Sequence, residues 1–132
     1  MFRKDVERIV KLGVTEEAND SEWGAPTFYQ PKEKTNQIRF LSDFRNLNRQ
    51  LKRKPYPMPK IREMILNLEG FQYAISLDLD MGYFLIRLSG EASNLCTIIL
   101  PWGKYKYKRP PMGVFNSPES FQEKMNEMFR GI

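Results

Sequence analysis

Two carboxylates, Asp78 and Asp80, are separated by one residue and alternate with the apolar side chains of Ile75, Leu77 and Leu79. This period of two predicts a β-strand from about residue 73, with both acids on one face and the apolar side chains on the other. Two like charges on one face of a strand destabilise it unless a cation compensates them. A divalent metal ion and a Lys or Arg partner are two ways to compensate them, and a solvent-exposed strand end is the third interpretation.

The composition restricts which metal such carboxylates could bind. The 132 residues contain no His and a single cysteine, Cys96. Ser-His-Asp and Cys-His catalysis, His or thiolate zinc sites and an intrachain disulfide are therefore excluded. A metal held by oxygen ligands alone is typically Mg²⁺ or Mn²⁺.

Positive charge is concentrated in the later part of the chain. The net charge is +5, but residues 1–24 carry −2, so that residues 25–132 carry +7. Residues 49–62 contain six basic side chains, no acidic one, and three alternating prolines that favour an extended path. This segment could follow a phosphate backbone or be a solvated linker. In residues 104–109, lysines alternate with tyrosines, which predicts a charged outer face over a packed inner one.

The elements that must position these residues predict an α+β chain with antiparallel hairpins. We expect a helix over 3–12, a hairpin of 26–30 with 38–43, a helix from Pro59 to Gly70, strands from 73 and over Tyr83–Leu88, a hairpin of 96–100 with 105–108, and a helix capped by Ser117. Spacing in the last helix predicts a core face, formed by Phe121, Met125, Met128 and Phe129. The sequence shows neither a membrane-spanning run nor a signal peptide. We therefore expect an intracellular protein, in the cytoplasm or nucleus, with no membrane partner.

Longer blocks of sequence are more specific than any single motif. In order along the chain they are Ser21-Glu-Trp-Gly-Ala-Pro-Thr-Phe28, Ile38-Arg-Phe-Leu-Ser-Asp-Phe-Arg-Asn-Leu-Asn48, Lys54-Pro-Tyr-Pro-Met-Pro59, Phe71-Gln-Tyr-Ala-Ile-Ser-Leu-Asp-Leu-Asp-Met-Gly-Tyr83 and Arg109-Pro-Pro-Met-Gly-Val-Phe-Asn-Ser-Pro118. From about Leu12 onward the chain resembles the reverse transcriptase of LTR retrotransposons of the gypsy type.

This resemblance implies an RNA-directed DNA polymerase that extends a primer with dNTPs on an RNA or DNA template by two-metal nucleotidyl transfer. Residues 1–132 would form a partial reverse transcriptase domain, comprising the fingers and the first part of the palm of a right-hand polymerase. By the same resemblance, Asp78 is a catalytic Mg²⁺ (or Mn²⁺) ligand, with the backbone carbonyl of Leu79 beside it. Asp80 lies near the incoming triphosphate, and Tyr83 is the aromatic gate that packs under the deoxyribose and disfavours a 2′-hydroxyl.

The resemblance also assigns residues to the fingers and the pocket loop. Arg39 lies over the incoming base and touches its phosphates. Lys32 contacts the γ-phosphate, with Lys34 as the alternative because the loop before Arg39 is one residue longer than usual. Met112 and Gly113 line the nucleotide pocket.

Two further groups are candidates for holding the template and primer, the first by the resemblance and the second by its positive charge. Asp43 and Arg45 help to position the template. Lys52, Arg53 and Lys54 belong to the basic segment that could follow the template–primer backbone.

The sequence departs from the family pattern in two ways. Pro110 and Met112 stand where the family more often has Leu and Phe (or Gln in retroviral relatives), which alters the pocket. The second metal motif, an aromatic residue followed by any residue and Asp-Asp, is absent, because the 132 residues contain no adjacent Asp pair. We expect the chain to end before that motif, the thumb and the ribonuclease H region, and to be inactive without the remaining palm and thumb.

Two other interpretations stay open. The chain could be a non-catalytic nucleic-acid-binding remnant of a truncated retroelement, or a remnant without function whose incomplete palm sheet is exposed and prone to aggregate. The DNA that follows the codon for Ile132 discriminates them. An in-frame aromatic-x-Asp-Asp motif there favours the polymerase, and an immediate stop codon favours a remnant.

Overall fold

The structure is a computed structural model, and it describes residues 2–31 and 38–131. In chain order the elements are α1 (Phe2–Lys11), β1 (Thr15–Glu17), β2 (Ala25–Pro31), β3 (Ile38–Ser42), α2 (Arg45–Gln50), α3 (Ile61–Leu66), a 3₁₀ turn (Gly82–Leu85), α4 (Gly90–Leu95), β4 (Thr97–Leu100), β5 (Gly103–Tyr107) and α5 (Asn116–Met128). Within these residues the strands form one sheet in the order β1-β5-β4-β2-β3.

Two antiparallel hairpins build this sheet, and a parallel contact joins them. β2 pairs with β3, and β4 pairs with β5, as the turn signals predict. Ala25 in β2 lies opposite Ile98 in β4, in the parallel register that links the hairpins. Gly24 permits this contact, since a Cβ at that position would lie 2.6 Å from Cγ1 of Ile99.

The core lies where α1, α2 and the residues after β5 meet one face of the sheet. Its buried apolar members are Val6, Ile9, Val14, Ala25, Phe44, Leu47, Cys96, Ile98, Leu100, Tyr107 and Val114. The Phe44 ring meets Tyr107 edge-on, with ring centroids 6.4 Å apart. Burial raises the pKa of the Cys96 thiol to about 11, so this cysteine stays protonated at neutral pH and is no nucleophile.

Several sequence predictions are confirmed by these elements. The α+β class, the first helix and both hairpins are observed. The alternation predicted for residues 104–109 is observed only in part, because Tyr107 is buried and Lys108 exposed, whereas the side chains of Lys104, Tyr105 and Lys106 are all half-buried. Residues 52–60 contain no helix or strand, as their prolines predict.

The strands predicted from residue 73 and over Tyr83–Leu88 are wrong. Residues 73–79 belong to no helix or strand, and the 3₁₀ turn occupies most of the second segment. An alternating sequence forms a strand only where a neighbouring strand pairs with its backbone. No strand of the described chain lies beside residues 73–79, and Ile75 and Leu77 are 89% and 81% exposed. Asp78 and Asp80 therefore do not share a strand face.

Two helix predictions also need correction. The helix predicted from Pro59 to Gly70 is limited to α3, and its apolar side chains are exposed. Ser117 does not cap α5, because it lies inside the helix and its Oγ donates a hydrogen bond to the Pro111 carbonyl at 2.9 Å. The core face predicted for the last helix is wrong as well, because Phe121 and Met125 are only half-buried, and Met128 and Phe129 are 66% and 50% exposed. No helix of the part that the structure describes is long and apolar enough to cross a membrane.

Candidate functional site

A cavity of about 1010 Å³ lies between the 3₁₀ turn, the segment that precedes it and the first turn of α5. Six residues selected from the sequence line it together: Arg53, Asp78, Leu79, Tyr83, Met112 and Gly113. Arg53 comes from the basic segment and the other five from two stretches about 30 residues apart, and the fold brings all three to one cavity. A cavity of this size lies at the upper end of the range for small-molecule sites.

Tyr83 is held against α5 by an aromatic contact. Its ring meets Phe121 edge-on, with centroids 5.4 Å apart and an angle of 63° between the planes. Met81 adopts a left-handed conformation (φ 51°) as the chain enters the 3₁₀ turn. A Cβ on Gly82 would lie 3.0 Å from the Phe121 ring, so glycine lets the turn approach the helix. The phenol is thus placed at the cavity by a turn packed on a helix.

The loop that contains Met112 and Gly113 is held by one side-chain amide. Asn48 at the end of α2 donates from Nδ2 to the Gly113 carbonyl at 2.7 Å, and the Phe115 amide donates to Asn48 Oδ1 at 3.0 Å. Asn48 is buried, so no water competes freely for these bonds. Gly113 has a φ of +93°, a conformation that favours glycine.

Replacing Asn48 with alanine is expected to destabilise the chain by about 2–4 kcal/mol, because it removes two hydrogen bonds and leaves a carbonyl and an amide unpaired. Urea denaturation followed by circular dichroism measures the effect. Asn46→Ala, two residues earlier in the same helix and exposed, is the matched control and should change stability by less than about 0.5 kcal/mol. Equal midpoints for the two variants would contradict the bridging role of Asn48.

Asp43 and Arg45 form a tight ion pair outside the cavity. Arg45 donates from Nε and Nη2 to the Asp43 carboxylate, and its backbone amide donates to Asp43 Oδ1 at 3.1 Å. The Arg45 guanidinium lowers the pKa of Asp43 from 3.8 to about 2. Neither residue lines the cavity, so the structure does not bring them together with Asp78, Tyr83 and Gly113.

This pair predicts an acid-dependent contribution to stability. The pKa of Asp43 is lowered on folding, so its contribution is present above about pH 4 and is lost as the pH falls toward 2. Carboxyl ¹³C NMR should give an Asp43 pKa near 2, and Arg45→Gln should raise it toward 3.8. The Glu127 carboxyl, whose pKa is lowered by Lys124, is the internal control and should not move in Arg45→Gln. An Asp43 pKa that is unchanged in the variant would exclude the guanidinium as the cause.

The basic segment is docked along α5. Arg53 lines the cavity, and its Nη2 lies 3.3 Å from Glu119 Oε1. Lys54 pairs with Glu123 at 3.3 Å. The Asn116 side chain donates a hydrogen bond from Nδ2 to the Lys52 carbonyl and accepts one at Oδ1 from the Lys54 backbone amide. Residues 52–54 are therefore positioned by the helix that also borders the cavity.

Glu119 is a cavity residue that the sequence reasoning did not select. It is only 8% exposed, and its Oε2 is buried without a hydrogen-bond partner in the described part of the chain. The sequence suggested only an acid at the start of a helix. The available signal was its spacing of four residues from Glu123, which places two acids on one side of a helix where they could pair with a basic segment.

Asp78 and Leu79 both line the cavity, and a carboxylate and a backbone carbonyl are oxygen ligands of the kind that Mg²⁺ prefers. Asp80 does not line it. In residues 2–31 and 38–131, no three acidic or Cys side chains lie close enough together to hold a metal ion. These residues fit one part of a metal site, and further carboxylates would have to come from elsewhere.

Three of the residues selected from the sequence cannot be placed at the cavity. Lys32 and Lys34 lie outside the described residues. Arg39 is in the middle of β3, but its side chain is outside the described part.

Comparisons with known proteins point in one direction. Residues 30–132 match the family described as reverse transcriptase (RNA-dependent DNA polymerase). The chain is 31% identical, over 96% of its length, to the retrovirus-related Pol polyprotein from transposon 297 of Drosophila melanogaster, and covers 12% of it. It is 29% identical, over 98% of its length, to the putative enzymatic polyprotein of Cassava vein mosaic virus, and covers 21% of it. The chain thus spans about a fifth or less of these relatives.

Solved structures show the same fold. The foamy viral protease-reverse transcriptase in complex with RNA/DNA hybrid matches 99% of the chain with a TM-score of 0.88 and 19% identity, and the chain covers 17% of that protein. The native prototype foamy virus protease-reverse transcriptase matches 96% of the chain, with a TM-score of 0.82 and 22% identity, and the chain covers 17% of it. These likenesses confirm the predicted α+β fold class.

Proposed function

The chain belongs to the reverse transcriptase (RNA-dependent DNA polymerase) family, and on that premise we propose that it supplies the fingers and first part of the palm of a polymerase. This polymerase extends a primer with dNTPs on an RNA or DNA template. The observation that carries the proposal is the convergence of Asp78, Tyr83 and Gly113 on one cavity. The relatives are much longer, so the activity is proposed for a protein that contains this chain together with the rest of the palm and the thumb.

Each cavity residue has a task in this proposal. The Tyr83 ring, fixed by Phe121, forms the floor under the deoxyribose and leaves no room for a 2′-hydroxyl. Gly113 lets the pocket loop approach the nucleotide with its backbone. Asp78 and the Leu79 carbonyl would hold part of a Mg²⁺ or Mn²⁺ site, which supplies charge neutralisation for the triphosphate and for the primer 3′-oxygen.

Basic side chains of the fingers complete the nucleotide site. Lys32 (or Lys34) and Arg39 would neutralise charge on the triphosphate as pyrophosphate leaves. Asp80 would lie near the incoming triphosphate. Asp43 would orient Arg45 so that its guanidinium meets the template strand, and their mutual hydrogen bonds support that role.

Residues 73–79 support the need for further palm segments. This stretch alternates polar and apolar side chains, yet it pairs with no strand of the described chain, and Leu77 is 81% exposed. A strand of the remaining palm would pair with its backbone and cover its apolar side.

A non-catalytic nucleic-acid-binding protein is the second candidate. It is favoured by residues 52–54, because α5 holds them in place through Asn116, Glu119 and Glu123 without any contribution from the metal site. Primer extension, treated in the Discussion, separates the two candidates, whereas binding to a primed template is common to both.

Binding to a primed RNA template tests the shared part of the proposal. Lys52 is the informative residue, because it is exposed whereas Arg53 and Lys54 are paired with acids of α5. Lys52→Gln should weaken binding regardless of template sequence and lower the slope of log K against log salt by about one. Fluorescence anisotropy across a salt series measures both quantities.

Lys4→Gln on α1 is the control with the same charge change, and it should leave the slope unchanged. If Lys52→Gln behaves like Lys4→Gln, the basic segment does not contact phosphates. If the unaltered chain shows no salt-dependent binding, the nucleic-acid role itself is wrong.

A further inference from the structure

A second cavity, of about 540 Å³, lies between β1, the end of β5 and the start of α4. It shares no lining residue with the first cavity. Four basic residues line it (Arg87, Lys106, Lys108 and Arg109), and Glu16 is the acidic residue among its lining. Four cations against one carboxylate leave a formal charge of +3 in a concave site.

The two lysines are held side by side. Glu16 in β1 lies opposite Lys106 in β5. Its Oε1 is 3.4 Å from the Lys106 ammonium, and its Oε2 is 3.1 Å from that of Lys108. Lys106 also donates to Asn94 Oδ1 at 3.2 Å. Both ammonium groups are therefore anchored at the cavity with donors to spare, since each has three N–H groups.

Arg109 adds a fixed guanidinium to the same wall. Its Nη1 donates to the Leu85 carbonyl at 3.3 Å, and a guanidinium has four further N–H donors. Arg87, two residues after Leu85, brings a second guanidinium from the neighbouring segment. Guanidinium forks match the geometry of phosphate oxygens.

We propose that this cavity binds phosphate through Arg87, Lys106, Lys108 and Arg109. No aromatic side chain lines it within the described chain, so no aromatic ring there would stack on a base. Recognition would rest on phosphate charge and be independent of nucleotide sequence. The phosphate could belong to a nucleic-acid backbone or to a free polyphosphate. The inference does not depend on the polymerase activity, because it uses no residue of the first cavity.

The proposal predicts that removing the Glu16 charge tightens phosphate binding, which a purely structural role of Glu16 does not predict. Its carboxylate takes one donor of each lysine and offsets part of the positive charge that would attract a phosphate, and the Lys108 ammonium holds the pKa of Glu16 below its ordinary value. Glu16→Gln removes the competing charge while keeping the side-chain shape. Phosphate binding should therefore become tighter in Glu16→Gln, although a β1–β5 contact is weakened.

The test is ¹⁵N–¹H NMR of the chain, titrated separately with inorganic pyrophosphate and with a short single-stranded DNA of mixed sequence. We expect amide shifts at residues 87–90 and 106–109. Arg87→Gln should weaken binding by about tenfold, as for loss of charge-assisted hydrogen bonds, and Glu16→Gln should strengthen it. Arg8→Gln on α1 is the control with the same charge change and should bind like the unaltered chain. Lys106→Gln provides a second variant if the spectrum of Arg87→Gln shows loss of folding.

The outcomes separate the two sources of phosphate. Shifts with DNA alone assign a nucleic-acid backbone, and shifts with pyrophosphate at equal or higher affinity assign a free polyphosphate; both support the site. The proposal is overturned if neither probe shifts residues 87–90 and 106–109, even where DNA shifts residues 52–54, or if Glu16→Gln weakens binding as Arg87→Gln does.

Discussion

Primer extension should fall by about a thousandfold or more when Asp78 is replaced by Asn in a polymerase that contains this chain. The substitution keeps the size of the side chain but removes the negative charge that a divalent cation requires. A factor of ten in rate corresponds to about 1.4 kcal/mol, and loss of one metal carboxylate is worth several kcal/mol. Asp78 lines the same cavity as Tyr83 and Gly113. Among the described residues the other acid that lines this cavity is Glu119. Glu119 is paired with Arg53, so it is not placed to replace Asp78.

The experiment uses a chimera in which this chain replaces the matching part of the transposon 297 polyprotein, to which it is 31% identical. Incorporation of labelled dNTPs on a primed RNA template with Mg²⁺ is the measurement. Asp20→Asn, an exposed acid far along the chain from the cavity residues, is the matched control and should leave the rate unchanged. Asp80→Asn should have a smaller effect than Asp78→Asn, because Asp80 does not line the cavity.

The 132-residue chain by itself should show no extension, because it presents one carboxylate of a site that needs several. Extension by the isolated chain, lost in Asp78→Ala, would overturn that expectation. An active chimera that tolerates Asp78→Asn would instead remove Asp78 from the proposed mechanism.

Most of the fold could be predicted where local sequence and tertiary structure agree. In both hairpins the two strands are separated in sequence by only a short polar or glycine-containing stretch, and they pair with each other. The first helix has Val6 and Ile9 on one face, and both are buried. In these elements the pattern and the packing require the same conformation.

The misses occur where an element depends on a distant partner. Residues 73–79 have the alternation of a strand, but a strand needs a neighbour. β1 was missed for the opposite reason, because its acidic sequence lacks the pattern of a strand. It is a strand because β5 pairs with it, and because Lys106 and Lys108 form ion pairs with Glu16. α4 had a local signal, because Ser89 caps it by accepting a hydrogen bond from the Ala92 amide.

The candidate site shows the same division. Sequence blocks selected Asp78, Tyr83 and Gly113, and the structure brings them to one cavity. The contacts of Asn48 with the pocket loop and of Arg53 with Glu119 span 65 and 66 residues of sequence. No local pattern specifies such long-range contacts, so the pairings that support the site could not be predicted from the sequence, although Arg53 itself was selected.

Replacing Phe44 with alanine should destabilise the chain by about 3–5 kcal/mol, the largest stability effect we expect from a single substitution. Phe44 is 2% exposed and stands just before α2, where it packs edge-on against Tyr107 of β5. Truncation leaves a cavity that α2 and the sheet cannot both close. Domains of this size have a total stability of only about 5–15 kcal/mol, so a large part would be lost.

Phe28→Ala in β2 is the matched control, because that ring is 54% exposed and its loss should cost about 1 kcal/mol or less. Urea denaturation midpoints of the two variants give the comparison. The Phe44 ring also lies next to the pocket loop, since a Cβ added at Gly113 would be 3.8 Å from Phe44 Cδ2. Phe44→Leu should restore most of the stability but leave the loop less well packed, which amide exchange at Gly113 and Phe115 would report. If Phe44→Ala and Phe28→Ala unfold at the same urea concentration, the junction of α2 with β5 is not the centre of the core, and the pocket loop must be held by Asn48 alone.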